Sequence, residues 1–324
     1  MPIFEDIPYQ PPLLLNNRHL HSAFPVFFRQ LPPLAYNREK IILRDGDFID
    51  LDVTSAGNEK VVLLIHGFEG NSQSVYMRAM AQVFFKRRWD VVSMNLRGCS
   101  GEANHLFRSY HSGETGDLHE VIEYVINKKK YTQVTLVGFS LGANILLKYL
   151  GEQGVGINDY VKASIAVSAP CDLDKAEQGL HSVYAHWFLK SLIPKIKEKM
   201  KVHPNNILGS YIPKIKSIRE FDDFYTAPVH GYNGVDDYYA QCSSIHFISK
   251  IKIPTLLLSA EDDPFLAPEC IPYNAAERSE YFFLMSPKKG GHVAFVQFGQ
   301  QGEYWAEKEA IKFAEKYTGA TIYH

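Results

Sequence analysis

The sequence is poor in cysteine, with four among 324 residues, Cys99, Cys171, Cys242 and Cys270. Their scattered spacing holds no CxxC or other metal-ligand pattern, and a chain this long needs no disulfide staples. They are expected to be reduced, mostly buried thiols of a cytoplasmic protein, and neither a metal nor a cofactor is called for. Excess charge of one sign is also missing, since 34 basic residues against 36 acidic ones leave a formal charge of −2. That balance offers no broad positive surface, so nucleic acid is excluded as a partner. Long apolar runs are absent too: VVLLIHGF is interrupted at His66, far short of the roughly 18 to 20 residues that span a bilayer. The opening MPIFEDIPYQPPLLL has acidic residues and prolines where a secretory leader needs basic residues and an unbroken apolar helix. Neither an integral membrane segment nor export by that route is expected. What is present, 46% apolar and 22% charged residues, is the mixture of a chain that buries a substantial core.

Residues 1–40 are rich in proline and aromatics (YQPPLLL, AFPVFF, LPPLAY) and read as an ordered, extended arm lying on the body. REKIILRDGDFIDLDV reads as a hairpin turning at Asp45-Gly46. From VVLLIHG onward, buried strands alternate with helical stretches: SVYMRAMAQVFFKRR, WDVVSMNLRG, DLHEVIEYVINKKK, TQVTLVG, LGANILLKYLGEQ, KASIAVSAP, IPTLLLSAEDDP, EYFFLMSP and a closing EYWAEKEAIKFAEKYT. Such alternation predicts a doubly wound, mostly parallel sheet in residues 41–172 and 251–324. Residues 173–250 break the pattern; they are helical and aromatic, with no convincing strand, and are expected to be an inserted cap. Its aromatics, among them Trp187, Phe188 and Tyr225, are candidates to line a pocket. The lysines between Lys190 and Lys201 are expected to form a solvated helix face, with peripheral membrane contact left open.

The chemistry centres on GFSLGAN, Gly138 to Asn144. GxSxG arises by chance often enough that context must carry the reading, and here a β-branched strand precedes it and a helix follows. Those flanks fit a nucleophile elbow as found in the α/β-hydrolase fold, in which the hydroxyl of Ser140 is expected to stand above the sheet at a helix start. A serine hydroxyl needs a base, and the base an orienting carboxylate. In this fold the order is serine, acid, histidine, with the acid after a late strand and the histidine in the loop after the last. TLLLSA runs into EDDPFLAP, offering Glu261, Asp262 and Asp263, and FFLMSPKKGGH delivers His292 behind two glycines. Asp263 is preferred for its place before a Pro-x-x-Pro-like turn, with Asp262 kept as the alternative. Two backbone donors are expected for an oxyanion, Leu141 N–H after the nucleophile and Phe68 N–H in HGFEG after the strand VVLLI. His66 is expected to brace that loop.

HGFEG, NLRGCSGEANHLFRSYHSGETGDL, GFSLGAN, REFDDFYTAP, SAEDDPF and GGHVAF together resemble the YheT-like branch of the α/β-hydrolases, which includes abhydrolase-domain esterases and lipases. NNRHLHSAFP and DGDFIDLD in the arm and hairpin resemble the family's opening, although a glutamine is expected where His21 stands. The resemblance covers nearly the whole chain. It implies a cofactor-free serine carboxylesterase or lipase with Ser140, Asp263 and His292 as its triad, and it leaves the ester open. Within RGCSG, Cys99 and Ser100 are expected to be parts of a turn rather than reactive groups.

A neutral charge balance and an aromatic cap favour short- to medium-chain acyl esters, monoacylglycerols among them, as the small-molecule partner. An acyltransferase using the same triad is the alternative, though the His-x4-Asp spacing of lipid acyltransferases is absent. A dehalogenase normally has an aspartate in place of Ser140. Non-catalytic binding proteins on this fold usually lose a triad member, whereas all three are present here in order. Oligomeric state is not legible.

Overall fold

The alternation of apolar runs becomes one eight-stranded sheet. The computed structural model describes residues 3–4, 7–203, 212–299 and 302–319. Its strands are β1 (Asn37–Ile42), β2 (Phe48–Thr54), β3 (Lys60–Ile65), β4 (Asp90–Asn95), β5 (Gln133–Phe139), β6 (Val161–Val167), β7 (Thr255–Leu258) and β8 (Phe282–Met285), laid side by side in the order β1-β2-β4-β3-β5-β6-β7-β8. β1 and β2 form the expected hairpin and β2 runs antiparallel to β4, while all other neighbours are parallel.

Period-two alternation explains why the central strands are apolar throughout. Val61, Leu63 and Ile65 face one core layer, covered by α3 (Thr115–Asn127) and α4 (Leu141–Gln153). Val62 and Leu64 face the other, covered by α2 (Val75–Lys86) and α11 (Trp305–Tyr317). A strand with helices on both faces has no polar side to present. Each large aliphatic side chain so buried contributes roughly 1.5–3 kcal/mol of transfer free energy.

Between β6 and β7 the described residues hold α5 (Leu173–Gly179), α6 (Ser182–Val202), α7 (Ile218–Phe221), α8 (Ala227–Val229) and α9 (Val235–Cys242), with a π-helical turn at Asp222–Thr226; α10 (Tyr273–Glu277) follows β7. Residues 204–211 of this stretch lie outside the described residues.

The arm differs from its expectation. Part of it is a helix, α1 (Arg18–Phe28), started by Asn17, whose side chain accepts from the N–H groups of His19 and Leu20. An Asn at the N-cap satisfies orphaned donors at a helix start, and the surrounding prolines, one of them Pro25 inside the helix, mask that signal in the sequence.

Candidate active site

The carboxyl ends of β3, β5 and β7 converge on one point, as ligand sites do in parallel sheets. Ser140 sits there between β5 and α4 with φ 51° and ψ −121°, a left-handed conformation costly for a side-chain-bearing residue. The flanking glycines make this turn possible. A Cβ on Gly138 would lie 2.6 Å from the carbonyl oxygen of Gly142, and one on Gly142 would lie 2.3 Å from that of His66. The turn is fixed further by Ser140 N–H, which donates to Val167 O at 2.8 Å, and by Ala143 N–H, which donates back to Ser140 O at 2.9 Å.

The three side chains singled out from the sequence form one chain of hydrogen bonds. His292 Nε2 lies 2.9 Å from Ser140 Oγ, and its Nδ1 lies 2.8 and 3.0 Å from the two carboxylate oxygens of Asp263. The alternative acid, Asp262, instead accepts Gly291 N–H at 3.0 Å and steadies the histidine loop. That loop carries φ values of 61°, 50° and 40° at Gly291, Val293 and Phe295. Its backbone is held by two hydroxyls, Ser22 accepting His292 N–H at 2.8 Å and Ser168 accepting Val293 N–H at 3.0 Å. Phe265 stacks on the His292 ring at 4.3 Å.

Across from Ser140, the HGFEG loop is locked donor by donor. Gly67 N–H donates to Tyr76 Oη (3.0 Å), Glu69 N–H to Tyr110 Oη (2.9 Å) and Gly70 N–H to Gly67 O (3.0 Å). These contacts do not engage Phe68 N–H, which lies between the fixed Gly67 and Glu69. Phe68 and Leu141 both line the cavity beside Ser140 and His292, and Leu141 opens α4, where an N–H has no intrahelical acceptor. His66 is buried and braces the loop as expected: its Nε2 accepts Leu96 N–H at 3.0 Å and its Nδ1 lies 2.7 Å from Gly67 O. Burial pulls its pKa down to about 4, which keeps it neutral and fits the Nδ1–H tautomer.

Sequence reasoning passed over Glu69, Ser22 and Ser168. Glu69 has φ 55°, and its buried carboxylate takes Lys195 Nζ at 2.8 Å, Tyr110 Oη at 3.0 Å and the Ser191 hydroxyl. It thus ties the HGFEG loop to α6. Its place inside HGFEG was a usable signal; Ser22 and Ser168 carry none, because their partners are distant in sequence.

The cavity above Ser140 has a volume of about 580 Å³ and is lined by Phe68, Leu173, Phe188, Leu192, Ile196 and Tyr225 among others. Phe188 meets Phe68 edge-on at 4.8 Å. Tyr225 is buried, donates to Phe107 O at 2.9 Å and lies 3.1 Å from Ser109 Oγ, and burial pushes its hydroxyl up to about 12. Trp187 corrects the expectation. It is 61% exposed and does not line the cavity, because adjacent helical residues point about 100° apart and Phe188 takes the inward direction. Lys199 departs from the expected solvated face: its Nζ donates to the carbonyls of Leu106, Phe107 and Arg108, and burial lowers its pKa to about 8.

The family-specific segments serve as scaffolding. Arg97 is buried and pairs with Asp117 (2.6 Å), Asp45 (2.8 Å) and Asp47 (3.1 Å), while Asn104 Oδ1 accepts Gly98 N–H. Cys99 within this turn is a buried thiol pushed up to about 12, so it is no nucleophile. In REFDD, Arg219 joins Asp174 to Asp236. Among the described residues, His111, Glu114 and His230 bring ligand-type atoms within 4.8 Å of one another. Yet both ring nitrogens of His230 face backbone carbonyls, of Thr226 (2.8 Å) and Ser109 (2.9 Å), and the Arg108 guanidinium pairs with Glu114. That donor set fits an internal hydrogen-bond cluster rather than a cation.

Sheet order, elbow and converging loops define the α/β-hydrolase class. A family model for the alpha/beta hydrolase fold matches residues 60–298. The chain is 34% identical to YheT of Escherichia coli (strain K12), named as a candidate esterase, over 87% of this chain and 85% of that protein. It is 29% identical to mouse phospholipase ABHD3 over 84% of this chain and 69% of that one. Among solved structures, the Pyrococcus furiosus esterase Pf2001 shares the fold, with a TM-score of 0.60, 17% identity and coverage of 88% of this chain and 91% of that one. The chain therefore belongs to the α/β-hydrolase family, in its YheT-like branch.

Proposed function

We propose that this protein is a serine carboxylic ester hydrolase acting on acyl lipids of short to medium chain. The observation that carries the reading is the unbroken relay from Asp263 through His292 to Ser140 Oγ in the lining of an apolar cavity. In this mechanism His292 Nε2 takes the Ser140 hydroxyl proton as Oγ attacks the ester carbonyl. Asp263 holds the Nδ1–H and stabilises the imidazolium. The carbonyl oxygen, now an oxyanion, is met by Phe68 N–H and Leu141 N–H, each worth about 3 kcal/mol of transition-state stabilisation. His292 returns the proton to the departing alkoxide, leaving the acyl group on Ser140. Water, deprotonated by the same imidazole, then releases the acid.

Residues 173–250 act as a cap in this reading, with Phe188 and Tyr225 in the pocket wall. A cavity of about 580 Å³ falls in the range of small-molecule sites, roughly 300–1,000 Å³, and the phospholipase and esterase names of its relatives support an acyl substrate. The four cysteines, all buried thiols, support a reducing, cytoplasmic compartment.

The test is a panel of p-nitrophenyl esters graded by chain length, extended to monoacylglycerols. The expected result is highest kcat/KM on a neutral acyl chain, with a burst of p-nitrophenol where deacylation is slow, and loss of both in Ser140→Ala and His292→Ala. Ester hydrolysis that survives either substitution contradicts the proposal.

A further inference from the structure

Helix α1 is mounted inside out. Its polar edge faces the protein: Ser22 accepts His292 N–H, His21 accepts Val296 N–H at 3.0 Å, and Arg29 pairs with Glu307 at 2.5 Å over the Tyr304 ring. Its opposite edge, Leu20 and Phe27 at i and i+7, faces outward, with Leu20 60% and Phe27 76% exposed, while Phe24 is half-buried against Leu15, Val296 and Tyr304. Phe28 is exposed beside it, and Phe24 gathers Phe28 and Phe298 at 5.2 and 5.8 Å. Leu13 and Leu14, just before the helix, are almost fully exposed. An ordinary surface helix shows the reverse arrangement.

A second exposed apolar edge joins it. His19 of α1 bonds Tyr184 of α6 at 2.7 Å, and on the outer side of α6 Val183, Trp187 and Lys190 follow at i, i+4 and i+7, all exposed. The inner side leads to the catalytic base through stacked rings, Tyr184 on Phe265 at 4.2 Å and Phe265 on His292 at 4.3 Å. Charge is sorted in the same way. No Asp or Glu occurs from Ile7 to Arg38 or from Gln178 to Lys197, although the chain as a whole is slightly acidic. Arg18, Lys190 and Lys197 in these segments are exposed. Aromatic and leucine side chains framed by cations, without carboxylates, fit a surface that is apolar below and anionic above.

We infer that the outer faces of α1 and α6, with Leu13, Leu14 and Phe298, dock on an anionic lipid surface, while the inner side of α6 (Phe188, Leu192, Ile196) forms a wall of the cavity that holds Ser140. Docking in itself is independent of catalysis; only its use in delivering an acyl lipid to Ser140 rests on the function proposed above. Helix α1 would then lie at the lipid boundary while its Ser22 holds the His292 backbone.

The experiment is cosedimentation of full-length Ser140→Ala protein, which leaves the lipid intact, with phosphatidylcholine vesicles containing about 30% phosphatidylserine. Binding is expected to weaken as salt is raised and to be poorer on pure phosphatidylcholine. Phe27→Ser/Phe28→Ser and, separately, Val183→Ser/Trp187→Ser should each reduce it at least about tenfold. Arg18→Glu/Lys190→Glu should remove most of the salt dependence. These side chains are exposed, so unchanged thermal unfolding separates lost docking from lost folding. No binding at low salt, or binding indifferent to all three variants, overturns the inference. So does a concentration-dependent dimer, seen by sedimentation velocity, that the same serine substitutions abolish. If vesicles bind and ester hydrolysis fails, docking stands and the catalytic reading falls.

Discussion

The backbone N–H of His292 donates to the hydroxyl of Ser22, 270 residues earlier in the chain, across 2.8 Å. The arm thus helps to position the backbone of His292, the proposed base. Ser22→Ala removes one hydrogen bond of about 1 kcal/mol, and kcat on a soluble ester is expected to fall roughly fivefold with KM little changed. Ser22→Thr, which keeps the hydroxyl, should recover part of it. A kcat equal to wild type in Ser22→Ala would mean that the loop holds its shape without the arm.

Glu69 links the proposed oxyanion loop to the helical segment above it through Lys195, Ser191 and Tyr110. Glu69→Gln keeps the size and weakens these ties, so Phe68 N–H loses its fixed aim. A drop in kcat of roughly tenfold, larger than any rise in KM, is expected from misplacing a group that acts in the transition state. Steady-state kinetics on p-nitrophenyl butyrate distinguish this from a binding defect.

Gly142 has no room for a methyl group, since its Cβ would meet the carbonyl oxygens of His66 and Ile65 at 2.3 and 2.6 Å. Backbone oxygens cannot swing aside as side chains do. Gly142→Ala is expected to destabilise the protein by about 1–3 kcal/mol, as overpacking does, and to displace Ser140. Chemical unfolding and ester turnover should both reveal it.

His66 gives a pH dependence of known sign. The unfolded chain protonates this histidine near its ordinary value of 6.5, whereas the folded protein does so only near 4. Between those values unfolding takes up a proton, so the contribution is present above pH 6.5 and is lost as pH falls toward 4, on the order of 3 kcal/mol. Urea unfolding from pH 7 to pH 4 should show this slope in wild type and less of it in His66→Asn. Equal slopes would place the acid sensitivity elsewhere.

Much of the fold is legible in the amino-acid sequence itself. The hairpin followed from Asp45-Gly46 and the parallel sheet from alternating apolar runs, because period-two burial leaves a direct imprint on composition. Chain order and glycine placement also pointed to Ser140, Asp263 and His292, whose side chains the fold brings within hydrogen-bonding distance. What stayed hidden depends on contacts between distant segments. Helix α1 was concealed among prolines, with the Asn17 cap as its one local signal. Trp187 and Phe188 were indistinguishable as aromatics until the direction of α6 separated an exposed ring from a cavity ring. Lys199 read as a solvated charge, yet three carbonyls from residues 106–108 draw it inside.

The central claim is that Ser140 is an activated nucleophile, and intact mass after treatment with a fluorophosphonate tests it most directly. Wild type should gain a single phosphonyl adduct, and Ser140→Ala should gain none. A folded wild-type protein that stays unlabelled, or an adduct that persists in Ser140→Ala, would contradict the account.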